Sequence, residues 1–522
     1  MARKTRKRSN SAPLTLKAAL QHLEQGRTER AERELSRLTG QDRQGEVWRA
    51  LTIARERLEM PSALEAAHRA AERGGTEDDL KRLFRIGRAN DDSQAMIAAA
   101  DRLAELDPES STWANARVLA RLRLGELESA LEVARGNVER RPDGPSSLRL
   151  QAGALRGMTG DREGAVAECR EALADRGFQT REGDDGKPHV LILKAMSRTP
   201  PRINRQSGQI TFETGNDLST HVARAGYPTS DVYAEALQDR PELMDQAPPA
   251  DVVLCSITDA DKSPDDLATA QQLVERLGLP VVNHPSRILQ TRRDANARRF
   301  ANTPGVRFPR TVAIPVQGVS DPVMAVEEAM EANGIRYPVI LRSAGLQTGR
   351  WMYRIENRRE LRRMQVTDRV RELYLIEWLD TRDPATGLFR KFRAFLIGDE
   401  LHMSHMYMSE DWSVHGGSAE ELMRERADLR NRSILFLEDP LNELSSEILG
   451  SVKNALELTG LDYCGVDFAI DPEGQVVIFE ANPAMQIVRP REGLEFQEEH
   501  ARAGIDKALE LISKKAVMRE SS

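Results

Sequence analysis

A multidomain chain is predicted: an N-terminal α-solenoid, then a small α/β domain, then a larger α+β domain. Three observations predict it. Alanines in alanine-rich helical segments recur at Ala31, Ala63, Ala95, Ala130 and Ala165, in steps of 32, 32, 35 and 35 residues. Short apolar runs, HVLILK at 189–194 and DVVLCS at 251–256, are followed by a helical pattern, as buried parallel strands are. Finally, YCGVDFAIDPEGQVVIFEANPAM at 463–485 sets two apolar runs around Asp471-Pro472-Glu473-Gly474, which reads as a β-hairpin. A chain of 522 residues has room for about three to four domains.

The elements follow in order. Residues 1–12 carry the basic run Arg3-Lys4-Thr5-Arg6-Lys7-Arg8 without an apolar stretch after it, so a disordered tail is expected rather than a secretion signal. Residues 13–178 hold the repeats. Five positions before each alanine stand Gly26, Leu58, Asn90, Gly125 and Gly160, mostly helix-ending types, and Pro108 and Pro142 close two units. A period of about 34 with a small residue at each close helix crossing resembles the tetratricopeptide repeat; a generic α-solenoid is the alternative. Either stack is expected to present a concave surface that binds a peptide or protein, or to act as a dimerisation platform giving a homodimer. QTREGDDGKP at 179–188 reads as a linker. Residues 189–290 form the α/β domain, with a helix ending at Gly278 and a strand at 280–283. Residues 291–515 make the last domain.

Within the hairpin, period-2 alternation puts Ile478, Glu480 and Asn482 on one face and Val477, Phe479 and Ala481 on the other. A symmetric turn sets Asp467 opposite Ile478, with Glu480 diagonal at roughly 7–8 Å. Neither face is plainly solvent-like, and buried acids need pairing or a metal. The oxygen set Asp467, Glu480, Asn482 suits Mg²⁺. Salt bridges from these acids to nearby arginines are the alternative.

Glu480 follows Asp467 by 13 residues, and Asn482 follows two later within the run EANP. This pattern resembles the magnesium-binding end of the ATP-grasp superfamily, and the upstream segments stand in the order that family has. The resemblance covers roughly residues 189–512 and implies a pre-ATP-grasp domain, an ATP-grasp domain, ATP with Mg²⁺ (Mn²⁺ as a substitute), and the metal ligands Asp467, Glu480 and Asn482. It assigns Arg342, in RYPVILRSAGLQTG, to the phosphates where most relatives carry Lys. Gly345 and Gly349 then supply the loop over them, with Ser343 and Thr348 as hydroxyl donors. In LYLIEWL, Glu377, Trp378 and Leu379 would border the adenine and ribose. In FRKFRAFLIGDELHMSH, a hairpin turning at Gly398-Asp399, Arg393 would face the transferred phosphoryl group. Alternation puts Lys391 beside Arg393 and opposite Arg390. Arg293, at a helix start, would be a further phosphate contact, and Arg489 and Arg491 would hold the substrate carboxylate. His405, Asp411, Trp412 and His415 would line an acceptor pocket; with no helical i, i+4 histidine pair they do not read as a zinc site.

The implied chemistry is ligation: a carboxylate becomes an acylphosphate and then meets an amine acceptor. A helical scaffold with a degenerate core, and a kinase-like transfer that stops at phosphorylation, are the alternatives. A net charge of −7 gives no electrostatic argument for nucleic acid. No apolar window suits a membrane span. Cys169, Cys255 and Cys464 lack metal spacing, which suits a reducing cytoplasm.

Overall fold

The computed structural model describes residues 15–197, 199–212, 216, 218–346, 351–366, 370–414, 416–487 and 492–517. The chain forms two compact units, one of residues 1–172 with 199–212 and one of 173–198 with 213–522.

The first unit is built of consecutive helices, from Leu16–Glu24 through Thr28–Leu38 and onward to Leu127–Arg140, Ser146–Met158 and Arg162–Arg176, with neighbours in contact. Each marker alanine lies in the second helix of a successive pair, and all five are 6% exposed or less. Close backbone approach explains the residue type. A Cβ on Gly87 would come within 3.0 Å of the Ala95 Cβ, and one on Gly157 within 3.3 Å of the Ala165 Cβ. Gly26, Gly125 and Gly160 take φ of 73°, 90° and 110°, as helix-ending glycines do. Leu58 and Asn90 do not: they end their helices near φ −96°, and the left-handed residue is the next one, Glu59 or Asp91.

Two boundaries differ from expectation. The stretch 199–212, expected within the α/β domain, pairs Arg202–Ile203 with Ile210–Thr211 and buries Ile203 against Val118, Leu122 and Leu155 of the helices. The expected linker 179–188 contributes the edge strand Gln179–Arg181.

That strand opens a five-stranded sheet ordered Gln179–Arg181, Thr229–Tyr233, Val190–Lys194, Val252–Cys255, Val281–Val282, parallel except at its first pair. Val190 to Leu193 are wholly buried because both faces of the sheet are covered. Helix Pro264–Leu277 ends at Gly278 in the left-handed conformation. Two further sheets follow. The four-stranded one runs Met352–Ile355, Val339–Ser343, Glu372–Glu377, Thr311–Pro315, all antiparallel, over helix Pro322–Ala332. The five-stranded one runs Glu400–Ser409, Phe389–Ile397, Tyr463–Ile470, Val476–Asn482, Val306–Arg307. Phe436, Val452 and Ala455, from helices Ala427–Glu438 and Ser446–Glu457, pack under its Phe392, Phe468 and Ile478. No helix among the described residues is long and apolar enough to cross a membrane.

The Asp467 register differs from the symmetric turn. Asp467 pairs directly with Glu480 and Phe468 with Ile478, so Phe479 is an extra residue, a β-bulge. The insertion resets the alternation. Ile478 joins Val476 and Ala481 in the core, away from Glu480 and Asn482, which line the cleft together with Phe479.

Candidate active site

A cleft of about 490 Å³ is lined by the four-stranded sheet, by the five-stranded sheet that carries Asp467 and Glu480, and by the loop after Val252–Cys255. Its charged wall belongs to a row across four strands, of which all but His405 line the cleft. His405, Arg393, Asp467 and Glu480 are successive register partners. Arg393 donates to both Asp467 oxygens at 2.6 and 2.8 Å, and Lys391 Nζ lies 3.3 Å from the same carboxylate. Lys391 and Arg393 thus share a face, whereas Arg390 turns to Glu443 at 3.0 Å. Burial alone would raise the Asp467 pKa; Arg393 and Lys391 outweigh it and hold the carboxyl far below its ordinary range.

Glu480 receives Arg293 Nη2 at 2.6 Å and the Asn482 amide at 2.7 Å, while Arg293 Nη1 donates to the Phe479 carbonyl at 2.8 Å. Burial again opposes ionisation, and Arg293 with Arg342 prevails, so the Glu480 pKa is lowered. The ion pairs named as the alternative to a metal site are therefore present. The donor set nevertheless fits Mg²⁺. Two ionised carboxylates face each other beside an amide, all oxygen donors, and Mg²⁺ is commonly held by one or two carboxylates together with substrate phosphates. Among the described residues no group of three His, Cys, Asp or Glu would hold a metal unaided.

Arg342 is the unbalanced member. It is 8% exposed and lines the cleft, and among the described residues its hydrogen bond goes to the Leu346 carbonyl and no carboxylate pairs with it. Burial, then the neighbouring Arg293, push its pKa down to about 10. A buried guanidinium without an acid calls for an anionic ligand.

Beyond it, Ile340, Met352, Ile376, Trp378 and Leu379 form an apolar slot. The Arg354 guanidinium lies 4.0 Å from the Trp378 ring centroid, and Trp412 meets that ring edge-on at 5.5 Å. Glu377 lines the cleft, and its carboxylate accepts from Arg310 at 3.0 and 3.2 Å, which occupies part of its acceptor capacity. Gly345, at φ 70°, borders the narrow end of the cleft. Gly349, Thr348, Arg489, Arg491 and His415 lie outside the described residues.

Of the acceptor-pocket set, Trp412 lines the cleft, while Asp411 is exposed and accepts from the Ser413 amide. His405 sits behind Arg393, stacked on Tyr407 at 4.2 Å, and burial drops its pKa far enough to keep it neutral. Asp259, Asp261, Lys262, Arg292 and Tyr374 border the cleft without having been singled out. The signal available for the first three was their position: the loop beyond the carboxyl end of a parallel strand is where open α/β sheets bind ligands.

No protein-family model and no curated protein matches the chain. Among solved structures, the chain is similar to a D-alanine-D-alanine ligase from Coxiella burnetii (11% identity, 64% of this chain and 98% of that one, TM-score 0.38). It is similar also to a carboxyaminoimidazole ribonucleotide synthase from Aspergillus clavatus complexed with ATP (12% identity, 61% and 77%, TM-score 0.36). A third is a RimK domain ATP-grasp protein from Sphaerobacter thermophilus (14% identity, 63% and 99%, TM-score 0.35). Identity and superposition are low throughout, so no reaction passes from these proteins to this chain on likeness alone.

Proposed function

We propose that the chain is an ATP- and Mg²⁺-dependent ligase of the ATP-grasp type, which activates a carboxylate as an acylphosphate and joins it to an amine. The carrying observation is the meeting of facing carboxylates, Asp467 and Glu480, with the buried Arg342, which no carboxylate among the described residues pairs, in one cleft between two sheets. The apolar slot at Trp378 suits a flat base, and the polar end suits its phosphates.

Arg342 and Arg293 would hold the phosphate oxygens, bidentate geometry favouring arginine for that task. Asp467, Glu480 and Asn482 would hold Mg²⁺, or Mn²⁺ in its place, which neutralises phosphate charge and aligns the transfer. Arg393, fixed by Asp467, would face the charge that develops on the moving phosphoryl group. In the first step a substrate carboxylate oxygen attacks the γ-phosphorus and ADP leaves. In the second an amine attacks the acyl carbon, losing a proton as phosphate departs. Arg489 and Arg491 are proposed carboxylate contacts. No protein nucleophile is required.

The helical unit is inferred to recruit a peptide or protein substrate, or to pair two chains as a homodimer, in the cytoplasm. The ion pairs at Asp467 and Glu480 favour one competing reading, a helical binding protein whose core no longer turns over. Incubation with ATP, Mg²⁺ and a panel of carboxylates, with and without amines, separates these. A ligase accumulates ADP only when both are present. Full ADP release without amine means a phosphotransferase, and no ADP under any condition favours the binding protein.

A further inference from the structure

Asp261 follows the strand Val252–Cys255 in the α/β domain, and its carboxylate reaches the four-stranded sheet. Oδ1 accepts from the Tyr374 hydroxyl at 2.6 Å and lies 3.3 Å from Arg292 Nη1, while Oδ2 accepts from the Gly345 amide at 3.3 Å. Two of these contacts bracket Arg342. Tyr374 is the cross-strand partner of Arg342. Gly345 precedes Leu346, whose carbonyl receives the Arg342 guanidinium. Tyr374 is 0% exposed, so its hydroxyl depends on a protein partner. Arg292 is itself fixed by Glu372 at 2.6 Å, with its guanidinium 5.8 Å from the Tyr374 ring centroid.

We propose that Asp261 is a positioning residue for Arg342: by holding Tyr374 on one side and the 343–346 turn on the other, it sets the direction in which the guanidinium meets an anionic ligand. The nature of that ligand rests on the nucleotide reading above; the positioning rests on the contacts. Among the described residues Arg342 has no acid of its own to orient it, so its preorganisation comes from the backbone and ring that flank it. Outer partners that orient metal ligands carry about 10- to 100-fold in affinity or activity, and the same scale is expected for one that orients a guanidinium.

The test uses the full chain with Asp261→Asn and Tyr374→Phe, singly and combined, titrated with MgATP and separately with adenosine. Amide exchange at 344–346 is followed without ligand. Expected for Asp261→Asn are ATP binding weaker by about 10- to 100-fold, unchanged adenosine binding, and faster exchange at Gly345. Tyr374→Phe should weaken ATP binding less, and the double variant by less than the product of the two. Unchanged ATP binding in both variants, or equal loss of ATP and adenosine, overturns the proposal. Should the parent chain bind no ATP, the nucleotide reading fails, and exchange at 344–346 alone decides: no acceleration overturns the positioning role. If Asp261→Asn does not fold, Tyr374→Phe carries the same comparison.

Discussion

Replacing Arg342 with methionine should make the ligand-free protein more stable and the nucleotide complex weaker. The drop of the Arg342 pKa from 12.5 to about 10 corresponds to about 3 kcal/mol against the charged form. The group is nearly wholly buried, so solvent screening takes little of this away. Because the folded pKa is depressed for a cation, the deficit is complete at neutral pH and fades only as pH rises through 10 towards 12.5. Methionine keeps length and flexibility while removing the charge, so the ligand-free chain should gain about 1–3 kcal/mol after its lost hydrogen bond to Leu346 is counted. Charged hydrogen bonds to phosphate contribute about 1.5–3 kcal/mol, so ATP should bind roughly 10- to 100-fold more weakly. Denaturant unfolding of ligand-free protein and calorimetry with MgATP measure the two effects. Destabilisation together with unchanged ATP affinity would refute the reasoning, because Arg342 would then serve the fold and not a ligand.

Other expectations concern other parts of the molecule. Glu59 is exposed at φ 52°, a conformation that favours glycine, so Glu59→Gly should raise stability by up to about 1 kcal/mol, read by thermal unfolding. Burial and then Asp266 raise the Glu235 pKa to about 7. The folded state thus holds its proton longer than the unfolded state, and stability should fall as pH climbs from the ordinary carboxyl range towards 7. Glu235→Gln, whose carbonyl can still accept from Met196 and Ser197, should flatten that slope in unfolding measured from pH 4 to 8. Removing residues 1–178, with Ile203 and Ile210 changed to serine because their helical cover is lost, should end turnover of a macromolecular substrate and spare ATP binding. Unchanged turnover would remove the recruitment role.

The elements legible in the sequence were those with strong periodicity or turn chemistry. The five alanines, the apolar parallel strands and the turns at Gly398 and Gly474 all follow from local patterns. Asp467, Glu480 and Asn482, read from the hairpin, and Arg293, Arg342 and Arg393, which only the family resemblance implied, all line one cleft. The bulge at Phe479 left no compositional trace, since one extra residue alters pairing and not residue type. The edge strand at 179–181 and the hairpin at 202–211 are short and partly exposed, with no apolar alternation to announce them. The tie between Glu377 and Arg310 spans 67 residues and that between Asp261 and Tyr374 spans 113, distances at which only the fold sets the partner.

The central claim, that the cleft is a magnesium–nucleotide site, is tested most directly by calorimetric titration of ATP with and without Mg²⁺ into the parent chain and Glu480→Ala. Saturable binding that requires Mg²⁺ and is lost in Glu480→Ala is the predicted result. No ATP binding by the parent chain, or Mg²⁺-independent binding that Glu480→Ala leaves intact, would contradict it.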